Sequence, residues 1–118
     1  MYYLVIEKIV RYEAETKKEV EANNVKCFAV QGDVTNFKDL EQFVKQIVKE
    51  FGNIDVLVNN AGMVTYEMIP MVQLDVFKKM WEINVIGTFN LLQIVSRIMG
   101  RQKSGSIINM ASIFILKH

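Results

Sequence analysis

Along the chain, short apolar runs alternate with longer stretches in which apolar residues recur every three or four positions. The run Cys27, Phe28, Ala29, Val30 within "KCFAVQGDV" predicts a strand, ended by Gly32. Asn36 follows as a helix N-cap, with Asp39 in the first turn, where the helix dipole favours an anion. Leu40, Phe43, Val44, Ile47, Val48 and Phe51 then share one helical face, and Gly52 closes the helix. Ile54, Val56, Leu57 and Val58 form a run rich in β-branched residues, which predicts a strand buried on both faces, as in a helix-covered parallel sheet. A loop with the single proline, Pro70, leads to a helix predicted from about Gln73 to Met99. Its first half is amphipathic (Val76, Phe77, Met80, Trp81), whereas its second half is apolar nearly all round (Val85, Ile86, Phe89, Leu91, Leu92, Ile94, Val95, Ile98). "SGSIINMAS" predicts the last strand. Over residues 2–10 two patterns fit: a strand at Leu4 to Ile6, or a helix with Tyr2, Tyr3, Ile6, Ile9 and Val10 on one side. Glu13 to Ala22 reads as helix either way.

Strands alternating with helices predict an α/β fold with a mostly parallel, doubly wound sheet, here a single partial domain over residues 1–118. In such sheets ligands bind beyond the carboxyl ends of the strands. The informative positions are therefore Asp33 and Val34, then Asn59 to Gly62, then Ala111 and Ser112.

Composition narrows the function. A net charge of +1 gives no electrostatic argument for nucleic acid or an anionic membrane surface. Cys27 is the only cysteine, so it has no internal disulfide partner and no zinc-ligand set, which fits a reducing compartment. "MYYLVIEKIV" lacks the basic start of a secretory signal, and no apolar run approaches the roughly 18 residues of a membrane span. The expectation is a cytoplasmic protein that binds neither nucleic acid nor membrane.

Each candidate residue has a chemical reading and a plain one. Asp33 can accept a hydrogen bond from an amino group such as that of adenine, or it can bind local backbone donors at a helix start. In "NNAG", Asn60 and its neighbour can bond to adjacent strands, and Gly62 lets a sugar or phosphate approach the backbone; Asn and Gly also make ordinary turns. Asn84, between Ile83 and Val85 on the apolar helix, is expected to be buried and hydrogen-bonded, either bridging to a neighbouring loop or holding a water in a proton relay. Ser112 can donate to a substrate carbonyl or be a plain loop hydroxyl. It is not a triad nucleophile, because the only histidine, His118, ends the chain.

From about Val25 to Ser112 the chain resembles the short-chain dehydrogenase/reductase family. "GDVTN" is similar to the family's adenine-binding Asp-Val, "NNAG" to its hallmark motif, "EINVIGTF" to the helix whose Asn supports the proton relay, and "GSIINMAS" to the strand that delivers the active-site serine. The resemblance implies a Rossmann-like sheet binding NAD or NADP, and hydride transfer between the nicotinamide and a small-molecule alcohol or ketone. Ser112 would polarise the substrate oxygen and Asn84 would order a water. Asp33, Val34, Asn60, Ala61 and Gly62 would line the adenosine side.

Two family features are missing from the 118 residues. The glycines at 32, 52, 62, 87, 100 and 105 have no spacing that makes a phosphate-cradling turn. All four tyrosines precede Ser112, and none has a lysine four residues on to lower its pKa. In the strand order 3-2-1-4-5, the strand that precedes such a glycine turn is central. The strands ending at Asp33 and Asn60 are then expected to lose a common neighbour, unless residues 2–10 fill the gap. The first reading is thus a fragment of an NAD(P)-dependent enzyme, inactive alone. The second is a non-catalytic, self-associating module, with the helix over residues 73–99 pairing two copies. A phosphorylatable signalling domain would need clustered acids at strand ends, whereas Asp33 stands alone. Choosing NADP over NAD would call for a basic residue after the second strand; Arg11 serves if Ile9 and Val10 end that strand.

Overall fold

The computed structural model describes residues 3–7 and 13–111, with no side-chain description for residues 3–7, 13, 14 and 31. The elements run β1 (Tyr3–Glu7), α1 (Glu13–Glu21), β2 (Cys27–Gln31), α2 (Phe37–Phe51), β3 (Val56–Asn59), a 3-10 turn (Ile69–Met71), α3 (Leu74–Trp81), a π-helical segment (Glu82–Gly87), α4 (Thr88–Gln102) and β4 (Ser106–Asn109). Of the two patterns over residues 2–10, the strand is the one formed. The α2 caps are as the sequence predicts: Asn36 Oδ1 accepts from Asp39 N–H at 3.3 Å, and Gly52, at φ 86°, closes the helix with its N–H on Val48 C=O. The helix predicted to end near Met99 continues to Gln102, where Lys103 takes a left-handed conformation.

β1 pairs with β2 and β3 with β4, both in parallel, and no ladder joins the two pairs. Side-chain direction fixes their order. The Cys27 thiol is under the influence of Glu21 and Lys17 of α1. The next ring, Phe28, stacks on Phe43 of α2 with centroids 6.2 Å apart. Successive residues of a strand point to opposite faces, so α1 and α2 cover opposite faces of β2. Right-handed crossovers on opposite faces run in opposite directions, which places β3 on the β1 side of β2. α4 packs on the same layer as α2, so β4 lies beyond β3. The order is β2-β1, a break, then β3-β4, the doubly wound order 3-2-1-4-5 without its central member. Residues 3–7 therefore take the place next to β2, and the discontinuity lies between β1 and β3.

The core lies between α2 and α4. Leu40 and Val44 of α2 meet Leu91, Ile94, Val95 and Met99 of α4, with Val34 and Ile83 completing the buried cluster. Leu57 of β3 packs against it. The expectation that β3 is buried on both faces is not met. Val56 and Val58 are 53% and 51% exposed, and Ile108 of β4, opposite Val58, is exposed too. α4 packs on the Leu57 face of β3, whereas β4 is exposed along its length; among the described residues no element covers the Val56 and Val58 face.

Candidate active site

Two strand-end loops and one helix converge. At the end of β2, Asp33 Oδ1 accepts from Thr35 N–H at 2.9 Å and Thr35 Oγ at 2.8 Å. This is the local turn that the plainer reading of Asp33 anticipates. It ties down the carboxylate just where the chain leaves the strand. Val34 is buried beneath it. Val34 sits over Gly87, where a Cβ would stand 2.9 Å from the Val34 Cβ, closer than side chains tolerate. One turn on, the buried Asn90 donates through Nδ2 to the Val34 carbonyl at 3.1 Å. Gly87 and Asn90 together seat the Asp33–Val34 loop on the helix.

The second loop is held a turn earlier on the same helix. Asn84 Oδ1 accepts from Met63 N–H at 2.7 Å, and Asn84 Nδ2 donates to Met63 C=O at 2.9 Å. Gly62 precedes this contact, and a Cβ there would lie 3.5 Å from Asn84 Oδ1. Asn84 is exposed rather than buried, since the helix stripe it shares with Trp81 and Val85 faces outward. The bridge to a neighbouring loop, one of the two readings of Asn84, is made by its side-chain amide. It stands in the π-helical segment, where the ordinary backbone ladder is relaxed by one residue, and its own carbonyl accepts from Thr88 Oγ at 3.0 Å.

Asn60, Ala61 and Gly62 are exposed beyond β3. Its neighbour Asn59 does the structural work: buried, it donates through Nδ2 to Asn109 Oδ1 of β4 at 2.8 Å, locking the two strand ends together. At the other end of β3, Gln102 imitates a strand, with Oε1 accepting from Ile54 N–H at 3.0 Å and Nε2 donating to Ile54 C=O at 2.9 Å. Asn90 and Gln102 were not singled out in the sequence. The available signal was an uncharged polar side chain inside an apolar helical stripe, the same signal that marks Asn84. Ala111 is exposed past the end of β4, and Ser112 and Arg11 lie outside the described residues.

A shallow cleft opens beside Asp33, lined by Val30, Gly32, Leu40 and Phe43 with Asp39 and Gln42 at its rim. Among the described residues no cluster of His, Cys, Asp and Glu is arranged to hold a metal ion, and no helix is long and apolar enough to cross a membrane.

A doubly wound parallel sheet whose strand-end loops are seated on one helix with a π-helical segment defines a Rossmann-like class of α/β protein. The family described as short chain dehydrogenase matches residues 3–117, and the chain belongs to that family. It is 36% identical over 96 residues, 81% of its length, to a 3-oxoacyl-[acyl-carrier-protein] reductase of Staphylococcus epidermidis, of which it covers 39%. It superimposes on a NAD+-bound xylitol dehydrogenase with a TM-score of 0.89 at 30% identity, covering 94% of this chain and 43% of that one. On ElxO with NADP bound the TM-score is 0.80 at 26% identity, covering 92% and 44%. The chain thus spans about two-fifths of the length of the curated relatives it matches.

Proposed function

We propose that residues 1–118 form one partial domain carrying the adenosine half of an NAD(P) site, together with the serine of a hydride-transfer centre. The observation that carries this reading is that one short helical stretch, Asn84 to Asn90, holds both strand-end loops at once. Asp33 and Val34 are thereby held by the same helix as the loop of Asn60, Ala61 and Gly62. The donor set fits the group: an anchored carboxylate for an amino group, exposed amides for hydroxyls, and a loop whose glycine admits close backbone approach. When bound, NAD or NADP supplies the hydride exchanged with an alcohol or ketone. Asn84 keeps the loop after Gly62 in register and orders a water. Ser112 donates a hydrogen bond to the substrate oxygen. Relatives binding NAD+ and NADP both support the class of cofactor and leave either one open to this chain. The location is cytoplasmic.

The 118 residues hold no Tyr-x-x-x-Lys pair and no glycine-rich phosphate turn, so alone they do not turn over. The test is oxidation of NADH or NADPH by the purified chain across a panel of ketones. No turnover is the expected result, and turnover would overturn this reading.

A second reading has its own support. Leu74, Phe77, Trp81, Val85 and Phe89 run at helical spacing along the outer face from α3 into α4 and are all exposed. A contiguous apolar stripe of this kind pairs well with a second copy of itself. The oligomer forms through this helix, with or without catalysis.

A further inference from the structure

β2 is the outermost strand of the sheet. It holds the end position of the order 3-2-1-4-5, so its outer edge is open whatever stands between β1 and β3. Alternate residues of β2 bond to β1, and the others turn their N–H and C=O groups outward, where no strand meets them among the described residues. Natural edges are commonly blunted by a proline, a bulge or a charge within the strand. Cys27, Phe28, Ala29 and Val30 carry none of these and pair with β1 residue for residue. Charge stands only at the two ends, and with opposite sign. Lys26 is at the amino end; Asp33 and Asp39, which share one cleft, are at the carboxyl end.

α2 runs antiparallel to β2 along this edge. At one end Lys26 meets Glu50 and the Phe51 ring; at the other, Val30 and Gly32 share the cleft with Asp39, Gln42 and Gln46. Between them Phe28 stacks on Phe43. Ala29, midway between Lys26 and Gly32, is thus level with Val44 and Lys45, midway between Asp39 and Glu50. One two-fold axis through Ala29, normal to the sheet, therefore suits the strand and the helix together.

We propose that the outer edge of β2 is an interface with a second copy of this chain, the two β2 strands lying antiparallel across a two-fold axis at Ala29. Phe28 then stands opposite Val30 of the second copy, and Gln42 opposite its Gln46, where each carboxamide both donates and accepts. Lys26 faces Gly32 of the second copy, and with it Asp39. Its ammonium already binds Glu50 but has three donors, so it bridges the two carboxylates. Lys26 also decides the direction. A parallel arrangement would set Lys26 against Lys26 and, being related by translation, would not close. One short strand edge and one side of α2 make an interface of the small, transient class, so it forms at high protein concentration. It is separate from the stripe of Leu74 to Phe89 and independent of hydride transfer.

The test places a cysteine on the axis. Ala29→Cys with Cys27→Ala is made in the full chain carrying Trp81→Lys and Phe89→Lys, which removes association through the stripe. The two copies of residue 29 then face each other with Cα atoms about 5 Å apart, within disulfide reach. At about 1 mM chain under mild oxidation, a disulfide-linked dimer is expected. Adding Lys26→Glu or Asp39→Lys sets like charges against each other and is expected to slow linkage at least about tenfold. Mixing the Lys26→Glu chain with the Asp39→Lys chain restores opposite charges at both ends. The mixture is expected to recover the rate, which also shows that both variants fold. Absence of linkage in the parent chain overturns the proposal. So does equal linkage in the single variants, which would mean random collision, and so does a mixture no faster than either variant alone.

Discussion

Asn84 grips both backbone polar groups of Met63, accepting from its N–H at 2.7 Å and donating to its carbonyl at 2.9 Å. A side-chain amide used in this way takes the place of a strand neighbour. It joins the π-helical segment to a loop that has no regular structure of its own between Asn60 and Met68. Asn84→Ala removes both bonds. Because the site is solvent-accessible, the expected cost is about 1 kcal/mol, with the Met63 amide losing protection in hydrogen exchange. Unchanged protection of Met63 would show that the loop holds itself.

Asn90 has the larger energetic role. It is buried, and its bond to the Val34 carbonyl is the tie between the β2 loop and α4. Asn90→Leu keeps the branched shape but leaves that carbonyl without its donor, at an expected cost of about 1–3 kcal/mol in denaturant unfolding. A loss below the measurement error would place the Val34 carbonyl in water.

Gly87→Ala tests the same seat by volume. The new methyl overlaps Val34, so the loop must lift away, at about 1–3 kcal/mol. The double variant Gly87→Ala with Val34→Ala is expected to recover part of the loss, because the overlapping side chain is gone. Equal losses in both would separate Gly87 from Val34.

The layout of these contacts explains which parts were readable in the sequence. The strands β2 to β4 and the helix α2 follow from apolar periodicity and from two end signals, Asn36 and Gly52, because those are local. The choice between strand and helix over residues 2–10 is not local: β1 is a strand because β2 offers it a parallel ladder. The exposure of Val56 and Val58 could not be read either, since a β-branched run reports suitability for burial and not whether a neighbour arrives. At the site, "NNAG" pointed to the right loop, but the buried amide is Asn59 while Asn60 faces solvent. A one-residue difference decides which face a strand side chain takes, and only the register with Asn109 fixes it.

Cys27 gives a pH-dependent prediction. Burial pushes its thiol above the ordinary value, and Glu21 adds to the rise. The folded chain thus holds this proton more tightly than the unfolded chain. The associated stability is complete below the unfolded pKa and is lost as pH rises through the folded one. Melting temperature is expected to fall in the alkaline range, and Cys27→Ala to flatten that fall. An unchanged alkaline slope in the variant would assign the loss to other groups.

The outward stripe predicts association. Trp81→Lys and Phe89→Lys introduce charge at positions 54% and 55% exposed, so the fold is expected to survive. Light scattering is expected to show the native chain above monomer mass and the double variant at monomer mass. A native chain that stays monomeric at high concentration would remove the self-association reading.

The central claim is that the loops seated on Asn84 to Asn90 bind the adenosine half of a dinucleotide. Titration of the chain with NAD and NADP, followed by backbone amide NMR, tests it most directly. The account predicts shifts concentrated at Asp33, Val34 and Asn60 to Gly62, weakened by Asn90→Leu. Shifts that map elsewhere, or none at saturating nucleotide, would contradict it.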